Sequence, residues 1–314
     1  MPGAGDDLEA PLSDRPDADP RAVVRAHAAA KVNLALSVGP RRADGFHPLI
    51  SVLQSIALWD DLEITRTTSE GFELEVSGGG LPADEGNLVL VAAREIARRA
   101  PDHPGVRFRL RKGIPVAAGL GGGSTDGAAA LLALDRLWGL HLPTVNLLHM
   151  AAEVGSDVPF CVLGGTRLAT GRGEVLEEVK STTTLWWVVG IDAGELSTAA
   201  VYARFDQLGL PRELDPEAVG PMLDALLAGD PALIGALLSN DLEPAAFDLR
   251  PDLAEAKAAL MDAGALGAIV SGSGPTMLGL ARDEEHARRV ARAVAGRFVR
   301  VEVARAPVPG VAFG

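Results

Sequence analysis

Residues 115–130, PVAAGLGGGSTDGAAA, contain four glycines within five positions. Without side chains, Gly119, Gly121, Gly122 and Gly123 let a ligand approach the backbone and permit dihedral angles that other residues avoid. Ser124 follows as a candidate N-cap, so free amide groups and the positive end of a helix dipole should face that ligand. The stretch therefore predicts a loop that binds phosphate oxygens.

The segments on either side predict a strand before this loop and a helix after it. VRFRLR at 106–111 alternates apolar and basic residues, as a half-buried strand does, and 125–138 has helical apolar spacing. Two common glycine motifs do not fit, because the loop has no Walker lysine and has Ser124 where a Rossmann motif needs glycine. The phosphate site is therefore of another kind.

A second informative segment is AAAKVNLALSV at 28–38. Its strict alternation predicts a half-buried strand. The less apolar face of that strand carries Lys31 and Asn33 side by side. Further along, alternating runs at 61–66 and 72–76 flank TTSEG, which predicts a hairpin, and 87–99 has the pattern of an amphipathic helix.

The rest of the chain predicts a second, separate unit. An apolar strand at 185–191 is followed by helices at about 216–228, 231–239 and 251–263, a strand-turn-strand at 268–281, a helix at 284–295 and a strand at 298–304. This order is typical of an α+β sandwich of the split βαβ kind. We expect a disordered acidic tail at 1–21, an N-terminal domain at 22–181 and a C-terminal domain at 182–314.

Composition excludes several classes of protein. The 314 residues include 29 basic and 42 acidic ones, and the net charge of −13 argues against a nucleic-acid or anionic-membrane surface. No apolar run approaches the roughly 20 residues that a membrane helix needs. A single cysteine, Cys161, cannot form an internal disulfide, so the cytoplasm is the expected compartment.

The pattern PxxxGLGGGSTD at 115–126 resembles the phosphate-binding motif of the GHMP kinases, which include galactokinase and the homoserine, mevalonate and phosphomevalonate kinases. AKVNLALSV at 30–38 and RRADGFHPL at 41–49 are more narrowly similar to the members that phosphorylate 4-diphosphocytidyl-2-C-methyl-D-erythritol. VGSDVPFCVLGG (154–165), NDLE (240–243) and VSGSGPTM (270–277) extend the resemblance, which covers about residues 27–305. It implies a two-domain fold, with an N-terminal domain like ribosomal protein S5 and a C-terminal ferredoxin-like sandwich.

The resemblance also implies roles for individual residues. Lys31 and Asp157 match the catalytic lysine and aspartate, a pair in which a carboxylate accepts the proton of the attacking hydroxyl and an ammonium keeps it ionised. ATP would be bound by Asn87 and by the loop residues Pro115, Val116, Ala117, Ala118, Gly119, Leu120, Gly121, Gly122, Gly123, Ser124 and Thr125. Mg²⁺ is implied by the phosphate chemistry, with Ser124 as its candidate ligand.

On the acceptor side, the resemblance assigns a cytidine diphosphate sugar-alcohol to Asn33, Phe46, His47, Asp157 and Thr198. Phe46 stands where the family commonly has tyrosine, so it keeps a stacking face and lacks a hydroxyl. The turn at 271–274 would face the cleft. Arg172, in TGRGE at 170–174, either approaches a phosphate or faces water.

Two other functions remain open on the sequence. One is a GHMP kinase for another small alcohol, such as homoserine or a mevalonate derivative; an aromatic-histidine pair is useful for a pyrimidine and has no evident purpose for homoserine. The other is a non-catalytic nucleotide-binding homologue, from which loss of Lys31 or Asp157 would be expected. We expect no nucleic-acid or membrane partner, and a monomer or weak dimer.

Overall fold

The computed structural model describes residues 22–78, 80, 82–101, 103–192 and 194–314. The predicted acidic tail at 1–21 lies outside the described residues. Within those ranges, no helix is both long and apolar enough to cross a membrane.

The strands of the described chain form two sheets, one of eight strands and one of four. In chain order they are β1 (Val23–Val38), β2 (Leu49–Thr67), β3 (Phe72–Ser77), β4 (Gly105–Arg111), β5 (Thr166–Thr170), β6 (Val175–Glu178), β7 (Leu185–Ile191), β8 (Ser239–Asn240), β9 (Gly267–Val270), β10 (Met277–Ala281), β11 (Arg300–Ala306) and β12 (Val311–Phe313).

The larger sheet is built around the long antiparallel pair β1–β2 and has the strand order β12-β1-β2-β4-β3, with β5 and β6 continuing from β2 and with β8 beside β1. The predicted hairpin of 61–66 with 72–76 is wrong, because β4 lies between β2 and β3 and pairs with both. Gly105, at the start of β4, lies so close to the carbonyl of Ser69 that a side chain there would collide with the crossing segment. The chain therefore leaves a gap between β2 and β3, and β4, which comes later in the sequence, fills it.

The smaller sheet has the strand order β11-β7-β10-β9, and its neighbours are antiparallel. This is the order of a split βαβ sandwich, so the predicted α+β class and its ferredoxin-like second sheet are confirmed. The boundary between the two domains at 181/182 stays a prediction. The larger sheet's strand β6 ends at Glu178 and the smaller sheet's first strand β7 begins at Leu185, while the later strands β8 and β12 return to the larger sheet.

The α-helices pack on both sheets. Asn87 caps the first helix, since its side chain accepts a hydrogen bond from Val89 N. The predicted helix at 87–99 is therefore confirmed, with small differences at its ends. The bounds are α1 (Leu88–Ala97), α2 (Gly122–Trp138), α3 (Thr144–Val154), α4 (Val158–Leu163), α5 (Thr198–Gln207), α6 (Gly220–Ala228), α7 (Pro231–Ala236), α8 (Glu243–Leu249), α9 (Asp252–Asp262) and α10 (Glu284–Val294).

One apolar core lies between the larger sheet and helices α1 to α4, and α2 contributes buried small residues to it, among them Ala128, Ala129 and Ala130. A second core joins β1 and β2 to the smaller sheet and includes Leu34 and Trp187. Along β1, the even-numbered residues pack in the first core up to Ala28 and in the second core from Ala30 to Leu34. This change coincides with a shift of the pairing register between Ala29 and Ala30. An irregularity of this kind bends a strand.

Candidate active site

The glycine loop fits tightly between β1 and the turn that joins β9 to β10. Lys31 N donates to Leu120 O at 2.9 Å, and Ser271 Oγ donates to Gly119 O at 3.0 Å. A Cβ on Gly119 would collide with the carbonyl oxygen of Ser271, and one on Gly121 would lie 2.7 Å from Lys31 Cγ. Gly119 and Gly121 are therefore required by the protein's own packing as well as by the approach of a ligand.

The start of α2 differs from the sequence prediction. Gly121, with φ of 70°, is the N-cap, and Ser124 lies inside the first turn, so the prediction of Ser124 as the cap is wrong. Glycine adopts a left-handed conformation at little cost, and here it directs the chain into the helix three residues earlier than a cap at Ser124 would. The amide groups of the first turn still have no acceptor within the helix.

The loop forms one wall of a cavity of about 980 Å³, which is lined by every residue from Pro115 to Ser124. Thr125 is buried behind this wall, where its hydroxyl donates to Ala29 O at 2.7 Å. Asn87 is likewise absent from the lining, although Leu88 beside it is present. Roles of Thr125 and Asn87 toward a nucleotide stay predictions, and both residues shape the elements that carry the loop.

Beside this loop the fold brings together Lys31 and Asp157, which are distant in sequence. Lys31 Nζ lies 3.5 Å from Asp157 Oδ2 and donates to Asn33 Oδ1 at 3.1 Å. Asn33 in turn donates to Ser51 Oγ at 2.8 Å, and Ser51 donates to Ala35 O at 2.7 Å. This chain of hydrogen bonds fixes the ammonium group at the point where the strand meets the glycine loop.

Asp157 immediately precedes α4 and makes no side-chain capping bond to it. Its carboxylate is 38% exposed, whereas the Lys31 side chain is 10% exposed. The carboxylate is therefore open to the cavity on one side and paired on the other. Behind it, burial first and the nearby Asp157 charge second raise the pKa of the Cys161 thiol, which keeps that thiol protonated.

The far end of the cavity carries the predicted aromatic-histidine pair. Phe46 is 49% exposed, and the guanidinium of Arg172 lies 4.9 Å above its ring. His47 is buried; its Nδ1 donates to Gly39 O at 2.8 Å, because a carbonyl can only accept, and its Nε2 lies 3.4 Å from Asp206 Oδ2. Arg172 thus lines the cavity, and its approach to a phosphate stays a prediction.

Helix α5 completes this end of the cavity. The hydroxyls of Thr198 and Ser273 are 2.9 Å apart, which joins α5 to the turn between β9 and β10. Tyr202 places its ring 5.2 Å from that of His47, and burial, with a smaller effect of Asp157, raises its pKa to about 12. Tyr202 is therefore a neutral phenol over the whole physiological range.

Sequence reasoning missed Tyr202 and Asp206, which both line the cavity. Together with Thr198 they are spaced four residues apart on α5, so they share one face of the helix. The signal was thus present in the sequence, but only the assembled fold shows which face of α5 meets the cavity.

The residues at the loop suit a magnesium ion that is held mainly by phosphates and water. Mg²⁺ prefers oxygen ligands and usually takes only one or two from the protein. Ser124 and Asp157 provide a hydroxyl and a carboxylate in the same cavity. Among the described residues there is no cluster of three or more His, Cys, Asp or Glu side chains that could hold a metal ion without substrate phosphates.

Residues 87–165 match the family described as "GHMP kinases N terminal domain", and residues 222–300 match "GHMP kinases C terminal". A Saccharopolyspora erythraea protein named 4-diphosphocytidyl-2-C-methyl-D-erythritol kinase is 45% identical over 90% of this chain and 91% of its own. The chain belongs to the GHMP kinase family.

A second relative with that name, from Thermobifida fusca, is 43% identical over 90% of this GHMP kinase and 95% of its own length. The crystal structure of a 4-(cytidine 5'-diphospho)-2C-methyl-D-erythritol kinase is 34% identical, with a TM-score of 0.74 over 90% of this chain and 98% of that one. A homoserine kinase from Cytophaga hutchinsonii has a TM-score of 0.77 over 93% and 97% of the two chains at 23% identity, which is a likeness of fold alone. The fold is therefore shared among kinases with different acceptors, and the sequence distinguishes them.

Proposed function

We propose that this GHMP kinase transfers the γ-phosphate of ATP to the 2-hydroxyl of 4-diphosphocytidyl-2-C-methyl-D-erythritol, giving the 2-phosphate and ADP. The reaction would serve non-mevalonate synthesis of isoprenoid precursors. The observation that carries the proposal is the position of the Lys31–Asp157 pair, between the glycine loop and the end of the cavity that carries Phe46 and His47.

Asp157 is proposed to receive the proton of the acceptor. The hydroxyl oxygen forms a bond to the γ-phosphorus, the bond from that phosphorus to the β,γ-bridging oxygen breaks, and the hydroxyl proton passes to the Asp157 carboxylate. The exposed side of this carboxylate makes it accessible to a substrate hydroxyl. Lys31, at 3.5 Å, would keep the carboxylate ionised and offset negative charge on the phosphoryl group in transfer.

The nucleotide end is proposed to bind phosphate through backbone amides. The first turn of α2 begins at Gly122, and unpaired N–H groups at a helix start attract anions. Ser124 would hold Mg²⁺, whose charge when bound neutralises the phosphate oxygens. Asn87 would meet the nucleotide from the start of α1.

The acceptor end is proposed to bind the cytidine moiety. Phe46 offers an aromatic face to a pyrimidine, and Tyr202 adds a second ring beside His47. His47 Nδ1 is occupied by Gly39 O, so Nε2 or the backbone of this segment would bond the edge of the base. Asn33 and Thr198 lie on the way from this end toward Asp157 and would orient the sugar-alcohol.

The experiment that tests the proposal is an ADP-release assay in which ATP and Mg²⁺ are combined with one acceptor at a time. The cytidine diphosphate substrate, homoserine and mevalonate are compared, with Asp157→Asn protein as the blank for contaminating kinases. We expect turnover with the first acceptor alone. Turnover with homoserine or mevalonate alone would reject the acceptor and keep the family, and no turnover with any of them would favour a nucleotide-binding role.

Oligomeric state and compartment stay predictions of the sequence: a monomer or weak dimer in the cytoplasm. Sedimentation at several concentrations would test the first, and cell fractionation the second.

A further inference from the structure

A cluster of three ionisable side chains is buried beneath the glycine loop. Lys112 Nζ donates to Asp126 Oδ2 at 2.6 Å and also to Asp60 Oδ2. The side chains of Lys112, Asp60 and Asp126 are only 2%, 0% and 3% exposed. None of the three has a part in the proposed chemistry, although Lys112 and Asp126 bracket the loop in sequence.

Asp60, on β2, fixes the segment that leads into the loop. Its Oδ1 accepts hydrogen bonds from Gly113 N at 2.7 Å and Ile114 N at 2.9 Å. A carboxylate that accepts two backbone N–H groups and an ammonium has its charge well satisfied. The chain is thereby held to the larger sheet just before Pro115.

Asp126 fixes the segment that leaves the loop, because it lies on α2 near its start. Its Oδ2 is bound to Lys112, and its buried Oδ1 has no hydrogen-bond partner. A Cβ on Gly122 would lie 3.3 Å from Lys112 Nζ, so the ammonium group lies beneath the first residue of α2. A single cation thus connects both ends of the loop to β2.

Stability alone is a poor explanation for such a cluster. Burying ions carries a large desolvation cost, and a well-packed apolar replacement is often as stable or more so. Unlike an apolar contact, the cluster fixes the direction and the distance between the two ends of the loop. That geometry determines where the amides of the loop point.

We infer that Lys112, held between Asp60 and Asp126, is a positioning residue that sets the shape of the glycine loop and through it the affinity for the ATP triphosphate. The inference rests on the proposed function only for the identity of the nucleotide. Lys112 contributes to the lining of the cavity, but its ammonium group is bound by Asp60 and Asp126, so it acts through the loop.

The test is the dissociation constant of ATP with Mg²⁺, measured by calorimetry without any acceptor, for the wild-type chain and Asp126→Ala. Loss of this ion pair should weaken ATP binding about tenfold, which corresponds to about 1.4 kcal/mol. The KM of the acceptor should stay within twofold of the wild-type value, because its end of the cavity is not connected to the cluster. Asp126→Asn, which keeps an oxygen acceptor for Lys112, should restore most of the affinity.

Asp61→Ala is the matched control. Asp61 is the neighbour of Asp60 in sequence and pairs with Arg111, the exposed neighbour of Lys112. The variant therefore removes an aspartate–cation pair from the same place in the fold, but at the surface. Its ATP affinity should equal that of the wild type. If Asp126→Ala does not fold, Asp126→Ser, which is too short to reach the ammonium, carries the same expectation.

Unchanged ATP affinity in a folded Asp126→Ala or Asp126→Ser variant would overturn the inference. An equal rise in the dissociation constant of ATP and the KM of the acceptor would do the same. Failure of Asp126→Asn to restore binding would also contradict it. A wild-type chain that binds ATP but phosphorylates none of the tested acceptors would reject the proposed function and leave this inference standing.

Discussion

The two ends of the cavity are built in different ways. The proposed nucleotide end is one continuous segment, 115–124, whose backbone and the start of α2 line the cavity. The proposed acceptor end is assembled from side chains of β1, the segment before β2, the loop around Arg172 and helix α5. Where the backbone lines the cavity, the tightest positions tolerate only glycine. Where side chains line it, amino-acid substitutions can change which ligand is bound.

Asp157→Asn should produce the largest effect, because the residue lies where the two ends meet. An amide cannot accept the proton of the acceptor hydroxyl, and loss of acid–base participation typically lowers the rate by about 10²–10⁴-fold. We expect kcat to fall by that order while ATP affinity, measured by calorimetry, changes little. Turnover at the wild-type rate would remove Asp157 from its assigned role.

Phe46→Ala should have a smaller effect that is confined to the acceptor end. An aromatic contact is worth about 0.5–1.5 kcal/mol beyond its buried area, so the KM of the cytidine substrate should rise roughly 2- to 12-fold. The KM of ATP should not change, and Phe46→Tyr should keep the affinity because it retains the ring. A change in the KM of ATP alone would show that the two ends have been assigned the wrong way round.

Much of the nucleotide end could be predicted from the sequence because its information is local. Four glycines between a strand and a helix specify a phosphate loop, and the alternation around Lys31 and Asn33 specifies a strand with both on one face. The N-cap was misplaced because serine is the commoner cap, whereas the contact of Gly121 with Lys31 becomes visible only in three dimensions. The order of β2, β4 and β3 was missed for the same reason.

The acceptor end was harder because its residues are scattered. Phe46 and His47 were found through the family resemblance, but Tyr202 and Asp206 were not, since a helix pattern does not say which neighbour each face meets. The buried cluster of Asp60, Lys112 and Asp126 was missed as well. Charged residues at strand ends are usually exposed, and nothing in the local pattern distinguishes Lys112 from the exposed Arg111 beside it.

The smallest predicted effect is on the titration of Tyr202. Its phenolate absorbance can be measured without overlap from other tyrosines, because it is the single tyrosine of the chain. Its pKa is raised from 10.0 to about 12, mainly by burial, so phenolate absorbance should appear near pH 12 in the folded protein. The unfolded chain loses this proton at lower pH, so the stability that this group contributes is lost as pH rises from about 10 to about 12. A phenolate that titrates at the ordinary value would contradict its buried position beside His47.

The same titration sharpens the comparison when it is repeated with Asp157→Asn. The Asp157 charge is the lesser of the two causes of the raised pKa, so the value should fall and still exceed that of a free tyrosine. An unchanged value would mean that Asp157 and Tyr202 do not share one electrostatic environment.

The most direct test of the account is to locate the transferred phosphate. The wild-type chain is incubated with ATP, Mg²⁺ and 4-diphosphocytidyl-2-C-methyl-D-erythritol, and the products are followed by phosphorus NMR. The account predicts one new phosphomonoester, on the 2-hydroxyl, formed in equal amount to ADP. Release of inorganic phosphate with unmodified acceptor, or a phosphate on another hydroxyl, would contradict it.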